Sequence, residues 1–283
     1  MKNTGLGSKV FDGVNIILLS LFSLLSFIPF LYVVITSFST STTLIPSGFS
    51  MEAYRYIFSA NTFTRSLEVS ILITVVGTLF QLIMTSLMAY SLSHRHLPGR
   101  NGVLLMVLFT MLFSGGMIPT YFVVKSTGLL DSLAALVIPS AISAFNLIIL
   151  KNFFQGIPEE LKESAKIDGS HELGLLFRII LPLSLPAMAT FGLFYAVGIW
   201  NQYFNAILYL TDATKYPVQV ILRQVIILTS GSIGDTSEFE NMTYYGNSIK
   251  MAVIVIATIP IMLVYPFLQK HFAKGVLLGS VKG

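Results

Sequence analysis

Glu163-Ser164-Ala165-Lys166-Ile167-Asp168-Gly169, a gap of nine residues, and then Ile179-Ile180-Leu181-Pro182 form the stretch that decides how this chain is read. It is charged and polar, and it lies between two long apolar runs. Pro158 has no amide hydrogen to leave unsatisfied, which suits a first helical position. Glu159 and Glu160 follow in the first turn, where carboxylates complement the helix dipole. Good helix formers continue to Ile167, with Leu161 and Ala165 expected on one face. Gly169 is placed to end this helix, because glycine takes the left-handed C-terminal conformation without strain. Asp168 or Ser170 is expected to cap the next helix. The apolar residues of that helix, Leu173, Leu176, Phe177 and Ile180, recur at helical spacing. The pattern predicts a short helix, a glycine elbow and a second helix, folded into a knob. The plain alternative is an ordinary charged loop.

Working outward, the composition is that of a membrane protein. The 283 residues are 54% hydrophobic and 11% charged, where soluble domains carry about 25% charged residues. Several stretches of about 20 residues are almost free of charge, the length a helix needs to cross the hydrocarbon core. Six spans are expected: Val14 to Thr36, Val69 to Leu92, Gly102 to Val124, Leu133 to Leu150, Leu181 to Asn205 and Ser248 to Leu268. A signal peptide competes for the first, since Lys2 and Lys9 precede it. Its apolar core is longer than such a segment needs, however, and no small-x-small cleavage site follows. The absence of cysteine excludes a disulfide framework and thiol redox chemistry.

Six spans put both termini on one side, and the basic residues say which. With cytoplasmic termini, eleven Lys and Arg fall on inner segments and six on outer ones. The acidic run Asp235, Glu238, Glu240 is then outside and the Glu163 stretch is in the cytoplasm. The net charge of +4 belongs to these membrane faces rather than to a nucleic-acid surface, and no nucleic-acid partner is expected.

Ser114-Gly115-Gly116 with Pro119, Pro139 with Asn146, and Pro260 with Pro266 interrupt three of the spans. Such breaks either line a water-filled path or allow close helix packing. Glu68 and Lys250 lie near span ends and can snorkel, so no proton relay is visible. A secondary, ion-coupled transporter would usually show intramembrane coupling residues. A membrane-embedded enzyme would have to use His94, His96, His171 or His271, which fall at inner loops or span ends. His94 and His96 are two residues apart and do not share a helical face.

The Glu163 to Pro182 pattern resembles the EAA signature of permease subunits in binding-protein-dependent ABC importers, with Ser164 where the signature has alanine. Ala89-Tyr90-Ser91-Leu92 with Leu97-Pro98-Gly99-Arg100, Pro158-Glu159-Glu160-Leu161, and Trp200-Asn201-Gln202-Tyr203 are similar to the carbohydrate branch. With Phe113 to Tyr121 and the tail Lys274 to Gly283, the whole run resembles the MalG/LplC/YtcP-like sugar permeases. The resemblance implies an all-α membrane protein with six transmembrane helices and the type I (MetI-like) importer permease fold. Residues 1–66 would be an N-terminal helix and outer loop, 67–270 the permease core with its EAA loop at 153–181, and 271–283 a cytoplasmic tail.

The resemblance also implies partners: a second homologous permease subunit, two copies of an ABC ATPase, an extracellular solute-binding lipoprotein and an oligosaccharide substrate, in a bacterial plasma membrane. Glu163, Ser164, Ala165, Asp168, Gly169, Ile179, Leu181 and Pro182 would couple to the ATPase, and Gly279, Ser280, Val281, Lys282 and Gly283 would touch it. No Gly-x-x-x-x-Gly-Lys-Ser/Thr phosphate loop occurs. No cofactor and no metal are therefore expected in this chain; ATP and Mg would be bound by the partners. Phe145, Asn146, Trp200, Asn201, Tyr203 and Asn205 are candidates to line the path, through amide hydrogen bonds and aromatic stacking. Trp and Tyr at span ends are equally common as interfacial anchors.

Overall fold

Long apolar runs fold as helices, and irregular breaks separate them. A computed structural model describes residues 6–40, 46–229, 246–264 and 266. In chain order the helices are α1 (Leu6–Ser37), α2 (Glu52–Ser59), α3 (Asn61–Ser93), α4 (Arg100–Leu112) and α5 (Met117–Ser126). Two 3-10 turns, Leu133–Leu136 and Ile138–Ser140, precede α6 (Ala144–Gln155) and α7 (Glu159–Ile167). A continuous segment follows, made of α8 (Glu172–Leu175), a π turn (Leu176–Ile180) and α9 (Leu181–Leu183). Then come α10 (Leu185–Trp200), α11 (Phe204–Tyr209), α12 (Val218–Thr229) and α13 (Gly246–Val264). Among the described residues there is no strand.

The helices α1, α3 and α13 are each long and apolar enough to cross a membrane. The other expected spans are broken. Leu133–Ser140 meets α6 at 53°, and Glu172–Leu183 meets α10 at 87°. The expected third span is the pair α4 and α5, separated by Phe113–Gly116 with Gly116 at φ +84°. The fifth expected span begins late, at Leu185, and ends at Trp200; Asn205 already belongs to α11.

The chain divides into two units, residues 1–61 with 222–258, and residues 62–221 with 259–283. In the first, α1 is exposed around most of its circumference, as expected of a helix whose solvent is lipid. Its C-terminal end is tied down locally: Phe38 stacks on Tyr54 at 4.8 Å, Ser37 Oγ and Tyr54 Oη are 2.8 Å apart, and Ser248 Oγ donates to Ser39 O at 2.6 Å.

In the second unit α3 runs through two buried clusters. Its N-terminal half gives Val69 and Ile73 to a cluster with Val124, Leu136, Ile199 and Tyr209. Its C-terminal end gives Ala89, Tyr90 and Leu92 to a cluster with Leu150, Phe154, Leu175, Ile180 and Phe191. Between them, Gly77 allows a close approach: a Cβ there would stand 2.8 Å from Ile199 Cδ1 and 3.0 Å from Val137 Cγ2. The break before α6 is supplied with partners by polar side chains, as irregular backbone at membrane depth requires. Gln81 Nε2 donates to Ser140 O at 2.8 Å, and Ser143 N donates to Tyr195 Oη at 3.1 Å.

Candidate functional site: the charged elbow

The knob is built as its sequence dictates. Pro158 precedes α7 at φ −53°, and Glu159 and Glu160 fill the first turn. Ser170 N donates to Ala165 O at 2.9 Å and Gly169 N to Lys166 O at 3.0 Å, with Gly169 at φ +80°. This pair of bonds is the Schellman closure, which satisfies carbonyls the helix leaves open. A Cβ on Gly169 would meet nothing within 4 Å, so the position demands glycine through its backbone angle and not through crowding.

Three local expectations are corrected. The cap of α8 is His171, without a side-chain hydrogen bond, in place of Asp168 or Ser170. The seated face of α7 is Lys162 and Ala165, spaced by three, while Leu161 points outward. The apolar row of the second helix is split: Leu176 and Ile180 are fully buried, whereas Leu173 and Phe177 are half exposed. The π turn at Leu176–Ile180 changes the helical repeat where the row divides.

The expected coupling residues occupy one compact stretch. Glu163, Ser164 and Asp168 are exposed, Ala165 is buried, and Ile179 and Leu181 are partly buried with Pro182 exposed beyond them. Ile167 is 86% exposed two residues before the Gly169 turn, and Leu161, Leu173 and Phe177 are also exposed along the two arms of the elbow.

Charges clip the elbow shut. Lys162 Nζ donates to Glu159 Oε2 at 3.0 Å. Glu172 takes Lys166 Nζ at 2.8 Å and the Tyr90 hydroxyl at 2.5 Å, with His94 Nε2 at 3.8 Å. The Lys166 ammonium, and then the Tyr90 hydroxyl, hold the Glu172 carboxyl below the usual carboxylate range. Glu172 in turn raises Lys166, and the Lys162 bond lowers Glu159. A cavity of about 1010 Å³ opens beside the elbow, walled by Tyr90, His94, Arg95 and His96 on one side and Glu159, Glu163 and Glu172 on the other.

Sequence reasoning passed over this convergence. Tyr90 and Glu172 are 82 residues apart, and only the first-turn position of Glu172 hinted at a role. His94 stacks edge-on against Tyr90 at 4.8 Å and faces Glu172. His271, the acidic run Asp235, Glu238, Glu240 and the tail Gly279, Ser280, Val281, Lys282 and Gly283 lie outside the described residues. No group of three or more His, Asp or Glu side chains that could hold a metal ion occurs among the described residues.

The candidate path residues do not form one site. Phe145 and Asn146 open α6, the first exposed and the second buried. Trp200 closes α10, Asn201 donates from Nδ2 to Val197 O at 2.9 Å, Tyr203 packs on the cluster around Ile199, and Asn205 is exposed on α11.

A second joint lies near the opposite end of α3. Asp131, at φ +56°, accepts the Thr211 and Asp212 amides on Oδ1 at 3.0 Å each. Lys215 Nζ donates to Asp131 Oδ2 at 2.9 Å and to its carbonyl at 2.7 Å. These bonds hold the Asp131 carboxyl far below its ordinary range, the Lys215 bond contributing most.

Broken apolar crossings and a charged, hydrogen-bonded elbow fit the class of membrane permeases, subunits that move a solute. The chain belongs to the family of binding-protein-dependent transport system inner membrane components, whose pattern matches residues 1–278. It is 57% identical over 291 residues to the polygalacturonan/rhamnogalacturonan transport system permease protein YtcP of Bacillus subtilis, covering 100% of both chains. It is 56% identical over 290 residues to protein LplC of the same organism, covering 100% of this chain and 98% of LplC. A solved bacterial ABC transporter for import of the acidic polysaccharide alginate includes a chain with TM-score 0.89 and 31% identity, over 96% of this chain and 100% of that one. The chain is thus the permease of an ABC importer and not its catalytic subunit.

Proposed function

We propose that this permease imports acidic, uronate-bearing oligosaccharides. Two similar proteins support that reading: YtcP, named for polygalacturonan and rhamnogalacturonan, and the transporter described for alginate. In this reading the chain pairs with a second, homologous permease subunit, two copies of an ABC ATPase dock below, and an extracellular lipoprotein delivers the sugar. Both termini face the cytoplasm, as the excess of basic residues on that side favours.

The observation that carries the coupling role is the Gly169 elbow, which presents the exposed Glu163, Ser164 and Asp168 beside an apolar tip. A protruding helix with apolar anchors and a charged rim fits a groove on a soluble partner. Ala165, Gly169, Ile179, Leu181 and Pro182 hold that tip in shape. ATP and Mg act on the partner subunits, and the tail residues Gly279 to Gly283 would contact them. Among the path candidates, Asn146 and Trp200 are buried and Phe145, Asn201, Tyr203 and Asn205 are more open, so any contact with sugar would be spread along the crossing.

Reconstitution of the four-part complex in proteoliposomes tests the reading. Galacturonate oligosaccharides on the binding protein should enter only with ATP, and neutral glucose oligosaccharides of equal length should not. Uptake driven by an ion gradient without ATP would instead make the chain a secondary carrier.

A further inference from the structure

The helix α3 is 33 residues long with no proline, an unbroken element of about 50 Å at the α-helical rise. Three other elements hold its C-terminal end. Arg100 Nε at the start of α4 donates to Leu92 O at 2.8 Å, and Gln155 Nε2 at the end of α6 donates to Ser93 O at 3.1 Å. The third is the elbow, through the Tyr90 hydroxyl and Glu172. Near its other end, Ser70 Oγ accepts the Val218 amide at 2.7 Å, at the first residue of α12, and both residues are buried. Ser70 and Tyr90 are about 30 Å apart along the helix, the thickness of a bilayer's hydrocarbon core.

The α3 residues at both attachments are buried: Tyr90 is 6% exposed and Ser70 is 1% exposed. Breaking the Ser70 bond would leave the buried Val218 amide without its partner. Glu172 lies just past the residue where the elbow turns, and Lys166 fixes it from the other side of that turn. Tyr90 and Glu172 thus join the end of α3 to the segment that follows the elbow, and the half-exposed Lys166 pair spans the turn itself.

We propose that α3 is the rod that carries movement across the membrane, with Tyr90–Glu172 as its joint to the coupling elbow and Ser70–Val218 as its joint to α12. Glu172 and Tyr90 are positioning residues, and the inference rests on the ABC-importer reading above. Spatial continuity alone is not coupling, so the test measures coupling directly. In the reconstituted complex the readout is sugar imported per ATP hydrolysed, normalised to assembled complexes.

Tyr90→Phe and Glu172→Ala should each lower that ratio by about 3- to 10-fold, the range over which positions in a coupling network act. The double variant should fall no further than the lower single variant. Glu172→Gln, whose amide oxygen still accepts the Tyr90 hydroxyl, should stay near wild type. Ser70→Ala should reproduce the loss from the other end. A residue that only stabilised the fold would lower the amount of complex and leave the ratio alone. A wild-type ratio in Tyr90→Phe, which removes a single oxygen, overturns the inference even if Glu172→Ala does not assemble. Absence of ATP-dependent uptake in the wild type would instead overturn the importer reading.

Discussion

Two of the joints that turn the backbone through the left-handed region do so by opposite means. At Gly169 the side chain is absent, the surroundings are open, the backbone bonds are those that close α7, and one half-exposed ion pair, Lys166–Glu172, spans the turn. At Asp131 a side chain is present where one is disfavoured, and it is held by two backbone amides and a lysine. The glycine can leave its conformation at little cost, because both signs of φ are open to it. The aspartate can leave only by giving up every one of those bonds. The angle of the elbow rests on the freedom of a glycine backbone, and the angle of the Asp131 junction rests on side-chain bonds.

The sharpest way to break this contrast is Gly169→Val. A β-branched residue resists the left-handed angle by about 1–2 kcal/mol, a factor of roughly 5–30 in the population of the bent elbow. Insertion should be normal, while sugar-dependent ATPase and uptake fall by about that factor. Gly169→Asn should retain most of both, because Asn tolerates this region. Equal loss in the two variants would mean that side-chain bulk matters and the backbone angle does not.

A smaller effect is expected at Asp131→Ala, which combines backbone strain with two orphaned amides, and a smaller one still at Asp131→Gly, which keeps the angle and loses only the bonds. Hydrogen exchange at Thr211 and Asp212 should speed up in both, and uptake should fall less than in Gly169→Val. The carboxyl is held far below its ordinary pKa. Its contribution is thus present above the usual carboxylate range near pH ~4 and is lost only as pH falls through the depressed value. Protection of these amides should persist at pH 4 in the wild type. Loss at pH 5 would show that the Lys215 bond does not form in solution.

Least is expected of Lys166→Met. Its ion pair with Glu172 is about half exposed on both sides, so its worth is about 0–1 kcal/mol and falls with salt. Uptake should change less than twofold, a bound of roughly 0.4 kcal/mol, and the remaining difference should vanish in high salt. A larger, salt-independent loss would show that Lys166, and not Tyr90, sets the position of Glu172.

The elbow was legible because its determinants are local: a proline, a glycine and two glutamates at fixed offsets along the chain. The long crossings α1 and α3 were legible from length and apolarity alone. The breaks were less so. Proline and glycine marked where α4 stops and where the fourth span breaks before α6, but the partners of that 53° bend, Gln81 and Tyr195, are distant in sequence. Leu173 and Phe177 fit a helical apolar row as well as Leu176 and Ile180 do, yet they face out. In a chain whose surfaces meet lipid and other subunits, hydrophobicity does not say which side is the chain's own interior. Asp131 carried no signal at all, since its role is set by three residues some 80 positions away.

The tip of the elbow has one more consequence. Ile167, at 86% exposure, and Leu161, Leu173 and Phe177 leave apolar surface open along an otherwise charged segment. Apolar side chains open to water invite unwanted association. A copy made in excess of its ATPase would display them to the holdases and proteases that survey unassembled proteins. A surface that meets the ATPase, as proposed above, would then also mark surplus copies for removal, and keep the number of permeases matched to the number of ATPases.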